Sequence, residues 1–212
     1  MVRRSPFTYV VLLLWGALVL MGMIVLVGYQ SAPGKPAQAP KAWPVGTTLP
    51  LHAEQPSLLV FAHPQCVCTR ASISELERLL RYVDGRVQTS LVFLHPQGFD
   101  DAFVESALWK RAQRMEGVLV HNDTLGAEAA RFQSFTSGQT LLYSSTGELL
   151  FSGGLTASRG HEGDNIGRQS LQRLILDQEA RVTESNVFGC PLEGNAIDRE
   201  DVRMRIRSLW SP

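Results

Sequence analysis

Residues 57–82 read SLLVFAHPQCVCTRASISELERLLRY. Ser57–Ala62 is a short apolar run of strand length. His63-Pro64-Gln65-Cys66-Val67-Cys68-Thr69-Arg70 follows as a loop. From Ala71 to Tyr82, Ile73, Leu76, Leu79 and Leu80 recur at helical spacing. A strand that passes through a loop into a helix is a βα turn, and this turn carries two cysteines. A helix N-terminus offers free N–H groups and a partial positive charge. Both stabilise a thiolate and lower the pKa of a cysteine placed there.

Further along the chain the pattern keeps alternating. Val87–Leu94 reads as a second strand, and Asp100 to Met115, with Phe103, Ala107, Leu108 and Ala112, as a helix. Gly117–His121 is a short third strand and Leu125–Phe132 a short helix. Thr140–Ser144 and Glu148–Ser152 flank Ser145-Thr146-Gly147, a hairpin turn. Asn165 to Ala180 is a last helix with Leu171, Leu174 and Ile175 on one stripe. The order β–α–β–α–β–α–β–β–α implies an α/β fold, a mixed central sheet with helices on both faces. It is the order of a thioredoxin-like fold.

Ahead of this domain, Phe7 to Tyr29 contains no charged residue. Its ~23 residues would rise roughly 35 Å as a helix, enough to cross a bilayer core. Arg3 and Arg4 precede it, a bias that favours the N-terminus inside. The stretch is too long for a signal-peptide core, and Tyr29-Gln30-Ser31-Ala32-Pro33 makes a poor cleavage site. Residues 1–30 are therefore expected to be an uncleaved, single-pass anchor in the cytoplasmic (inner) membrane. Residues 31–44, rich in Pro and Ala, are expected to be a semi-extended spacer. Residues 45–212 are then the domain, on the extracytoplasmic side.

Composition narrows the partners. Twenty Lys and Arg balance twenty Asp and Glu, which gives no support to a nucleic-acid-binding face. With 44% hydrophobic and 19% charged residues, the chain is too apolar for disorder. Three cysteines are too few for a disulfide-stapled miniprotein. In an exported domain, however, disulfides can form.

Cys66 and Cys68 are the candidate catalytic pair. Two registers fit the turn. In one, Gln65 takes the nucleophile position of a C-x-x-C motif and Cys68 is the second, resolving cysteine. In the other the loop is one residue longer and Cys66 is the exposed nucleophile. A disulfide within C-x-C would close a small, strained ring, and strained disulfides are more oxidising. If Cys190 pairs with either cysteine instead, the ring is long and that argument lapses. The stretch Thr136-Ser137-Gly138-Gln139 stands where a cis-proline loop would face the cysteines, with Gln139 in place of proline and a trans bond expected.

Three segments, FAHPQCVCTRASISELERLL, TSGQTLLYSSTGELLFSGGLTASRGHEGDN and the late VFGCPL, together resemble RedB-like proteins. These are membrane-anchored bacterial thioredoxin-fold proteins with an H-P-x-C-P-C signature. Val67 stands where that signature has proline. The resemblance implies an envelope location and a thioredoxin fold, and implies little about substrate.

Supporting roles are expected around the cysteines. Arg159, His161 and Glu162 lie in a charged, glycine-rich loop ahead of the last helix. Arg159 or His161 could stabilise a thiolate, and Glu162 could take a proton. Asp164 or Asn165 could cap the helix. His63 is the titratable group nearest Cys66 in sequence, and Cys190 is a candidate third redox partner. Two classes of function follow. One is a thiol–disulfide oxidoreductase acting on protein thiols or disulfides of the cell envelope, which calls for no cofactor. The other is a binding module: either a Cu(I)-type site of His63, Cys66 and Cys68 completed by Cys190 or His161, or a non-catalytic docking domain.

Overall fold

Ser57–Ala62 forms the first strand, β1, and all six residues are buried. Leu58, Val60 and Ala62 turn into one core cluster and Leu59 and Phe61 into another, as the two-residue period of a strand requires. A strand apolar on both faces belongs in the middle of a covered sheet. The computed structural model describes residues 6–180 and 182–192. Residues 193–212 of the expected domain, and Arg3 and Arg4 of the orientation argument, lie outside the described residues.

β1 runs parallel to β2 (Gln88–His95) and antiparallel to β4 (Gln139–Tyr143). β3 (Val118–Thr124) is parallel to β2, and β5 (Leu149–Gly154) is antiparallel to β4. The sheet order is β3-β2-β1-β4-β5. The mixed sheet and the late hairpin are thus as the sequence implies.

The first core cluster joins β1 to α2 (Val67–Val83) and α6 (Ile166–Ile175) through Ile73, Leu76, Leu79, Leu171 and Ile175. The second cluster gathers Phe61, Phe132 and Tyr143 beside α5 (Ala127–Arg131). The helix expected over Asp100–Met115 is broken in two, α3 (Asp101–Val104) and α4 (Ala107–Ala112). Ser106 causes the break: its Oγ accepts the N–H of Trp109 and starts a new helix.

Residues 33–44 do not stand off as a spacer. Gly34 N–H donates to the Val187 carbonyl at 2.8 Å, and Tyr143 OH donates to the Pro40 carbonyl at 2.9 Å. Lys35 Nζ sits 3.7 Å from the centre of the Phe135 ring, and Trp43 packs edge-on to Phe132 and Tyr143. A Cβ on residue 34 would collide with Thr136, so glycine is what lets the strip lie down. Proline rigidity made the segment look like a tether, but its free carbonyls suit it to coating the domain. The segment expected to be the anchor is the helix α1 (Pro6–Ser31), a unit separate from Pro33 onward. Among the described residues it is the one helix long and apolar enough to cross a membrane.

Candidate functional site

α2 begins at Val67, earlier than its apolar spacing suggests, and Cys66 becomes its N-cap residue with φ −86° and ψ 127°. Cys66 N–H donates to the His63 carbonyl at 3.2 Å, which tightens the turn after Ala62. Cys66 and Cys68 are each only 3% exposed. The loop's shape is held from below by two hydroxyls. Thr69 Oγ1 donates to the His63 carbonyl at 3.0 Å and lies 2.8 Å from Ser137 Oγ. Ser137 Oγ in turn accepts the His63 N–H at 2.9 Å.

Ser137 also joins the third cysteine to the first two. Its N–H donates to the Cys190 carbonyl at 2.8 Å. Thr136 and Pro191 form an antiparallel bridge, and Leu192 N–H donates to the Phe135 carbonyl at 2.9 Å. This short strip lays the C-terminal segment along 135–137, and Gly189 permits the close approach: a Cβ there would strike the Ser137 carbonyl. Cys190 Sγ is thereby brought 2.8 Å from Cys66 Sγ and donates to it. Cys66 and Cys68 are buried, and Cys190 is the one of the three that is partly exposed.

The electrostatics divide the three thiols. The hydrogen bond from the Cys190 thiol is the main cause that lowers the Cys66 pKa to about 5. Burial opposes it, and the N–H groups of Cys190, Thr69 and Cys68 add to it. The sulfur gains from these N–H groups without completing a capping hydrogen bond. Donating to that thiolate pushes the Cys190 thiol far above its usual range, with burial acting the same way. The two sulfurs thus share one proton, carried by Cys190. Cys68 is also pushed up, by burial and by the Cys66 charge beside it, with Arg159 and the Gly160 N–H opposing. Burial lowers the His63 pKa, and the Cys66 charge opposes this.

The expected supporting residues divide as well. Arg159 reaches the site: its Nη1 donates to the Gly189 carbonyl at 2.7 Å, and its charge acts on Cys68 and Cys190. Glu162 instead faces Arg78 at 3.4 Å, and His161 is exposed. His63 sits in the turn with Nδ1 accepting the Gln65 N–H at 3.2 Å. Gln139 is buried at the start of β4, where its side chain donates to Ser152 Oγ at 3.1 Å. Peptide bonds are trans throughout the described residues. Asn165, not Asp164, caps α6, through its Oδ1 and the Arg168 N–H. Among the described residues, no three His, Cys, Asp or Glu side chains converge as metal ligands would.

Sequence reasoning passed over Thr69, Ser137 and Glu75. Glu75 is fully buried on α2 and holds the 158–165 loop to that helix. A charged residue at a position flanked by Ile73 and Leu76 was the available signal, since an acid is almost never buried without partners.

No protein-family model and no curated protein matches the chain. Solved structures do. A hypothetical protein from Sinorhizobium meliloti matches with a TM-score of 0.55 at 15% identity, over 78% of this chain and 96% of the other. An uncharacterised protein from Geobacillus kaustophilus matches with a TM-score of 0.54 at 14% identity, over 77% and 92%. The exposed lipoprotein thioredoxin of Streptococcus pneumoniae matches at a TM-score of 0.45 and 13% identity, over 66% and 98%. With its strand order and its βα turn, the chain has a thioredoxin-like fold.

Proposed function

We propose that this chain is a membrane-tethered thiol–disulfide oxidoreductase that acts on protein thiols and disulfides outside the cytoplasmic membrane. The observation that carries the reading is the 2.8 Å approach of Cys190 Sγ to Cys66 Sγ at the N-terminus of α2. Cys66 is the thiolate of the couple and Cys190 its partner. Loss of two electrons and the shared proton joins them in a disulfide, while a substrate disulfide becomes one thiol and one thiolate. The reverse step oxidises substrate thiols. Cys68 and Arg159 act on Cys190 in opposite directions, and Ser137 and Thr69 hold the two backbone segments of the couple together. The apolar helix Pro6–Ser31 and the RedB-like motifs support an anchored, envelope location. The pair favoured here is 124 positions apart rather than the C-x-C pair weighed from sequence, and the late segment lying along 135–137 supports it.

The test is equilibration of the full-length protein in glutathione buffers, followed by acid quench, alkylation and peptide mass spectrometry. A Cys66–Cys190 disulfide that titrates with the glutathione ratio is expected. A Cys66–Cys68 disulfide alone, or none, would overturn the reading.

A further inference from the structure

We infer that Cys190 is the sulfur that substrate thiols attack and Cys66 the sulfur that leaves. The inference rests on the Cys66–Cys190 couple proposed above and adds its polarity. Of this couple, the cysteine at the helix start is the closed one. Cys66 is 3% exposed, beneath the segment 189–191 that is pinned to Ser137 and Thr136. Arg159 fastens the same segment through the Gly189 carbonyl. An incoming sulfur has no room at Cys66, while Cys190 remains partly open among the described residues. Which sulfur of a disulfide is attacked depends on access, and the better leaving group is the thiol of lower pKa. Access and leaving-group quality therefore assign the same polarity. In the mixed disulfide Cys190 has no S–H to give, and the N–H groups of Cys190, Thr69 and Cys68 are what remain to stabilise the departing Cys66 thiolate.

The step balances as follows. A substrate thiolate bonds to Cys190 Sγ, the Cys66–Cys190 bond breaks, and its electron pair stays on Cys66 Sγ. The second substrate thiolate then attacks the substrate sulfur of the mixed disulfide. The Cys190 sulfur leaves and takes up a proton. The substrate dithiol is oxidised to a disulfide and the protein disulfide is reduced. A disulfide such as oxidised glutathione restores the couple.

The experiment uses the full-length protein in detergent, oxidised to the Cys66–Cys190 disulfide. Reduced glutathione is added as the probe, the reaction is acid-quenched along a time course, and the first adduct is located by mass spectrometry. Adducts on Cys190 should exceed those on Cys66 by about tenfold or more at the earliest times. First adducts on Cys66 or Cys68 would overturn the polarity while leaving the couple intact. Failure to form the Cys66–Cys190 disulfide would overturn both readings.

Discussion

Glu75, buried in the middle of α2, accepts the N–H of Gly163 at 2.7 Å. The same carboxylate meets Arg78 at 2.6 Å and Arg168 Nε at 2.8 Å, the latter as an ion pair without hydrogen-bond geometry. One acid thus clips the charged loop and α6 to α2. Glu75→Ala leaves Arg168 without this partner in a largely buried place and should cost about 3 kcal/mol. Glu75→Gln, which still accepts from Gly163, should cost less. Urea unfolding of the reduced protein measures both. An alanine variant as stable as wild type would show that the clip contributes nothing.

Cys66 titrates near 5 in the folded protein and near 8.5 in an unfolded chain. Its folded pKa is depressed, so its contribution is complete above the unfolded pKa and is lost as pH falls through about 5. Within that window the unfolded chain holds a proton that the native state does not, and stability rises with pH. The reduced wild type should therefore gain on reduced Cys66→Ser between pH 5 and pH 8, by at most about 1.4 kcal/mol per unit. Above that window the raised Cys190 thiol works in the opposite direction. A difference that stays flat across the window would remove the thiolate.

Much of the fold is legible in the sequence. Ser57–Ala62 is apolar on both faces and so announces a central strand, and the spacing of Ile73, Leu76 and Leu79 announces the helix that follows. That placed Cys66 and Cys68 at a helix start. Cys190 is legible as a candidate third redox partner, but not as the neighbour of Cys66. Its segment has no helical or strand period, and it is held by single bridges and lone carbonyls that leave no trace in composition. The charged loop was legible as a group only. Arg159 was sent to the thiols and Glu162 to Arg78 by the local path of the chain, which spacing does not encode.

The potential of the Cys66–Cys190 couple should be more oxidising than about −270 mV, the thioredoxin value. The cause is stabilisation of the reduced form by the Cys190-to-Cys66 hydrogen bond, in place of the small-ring strain argued from C-x-C. Insulin reduction should be correspondingly weak. A potential at or below the thioredoxin value, read from glutathione equilibration, would contradict this.

Gly189→Ala tests the approach of the late segment. The new Cβ meets the Ser137 carbonyl, so residues 189–191 must lift and Cys190 must retreat from Cys66. The pH midpoint of Cys66 alkylation should rise from about 5 towards about 8.5, the free thiol value. Cys66 should also become easier to modify once uncovered. An unchanged midpoint would mean that Cys190 is not what lowers it.

Anchoring has its own check. The full-length protein should sediment with membranes, and a phosphatase fused after residue 212 should be active only if the domain is exported. A mature N-terminus beyond Tyr29 would make the apolar segment a cleaved leader.

Joining Cys66 to Cys190 would enclose every element from α2 to α6 in one covalent loop. A protease cut in the exposed stretch 160–162 would then have two different results. In the oxidised protein the fragments stay one molecule and the nick is silent. In the reduced protein nothing covalent holds them, and the core, the Glu75 clip and the strip of residues 189–192 along 135–137 resist separation. Redox state would decide whether a broken backbone is still a single protein.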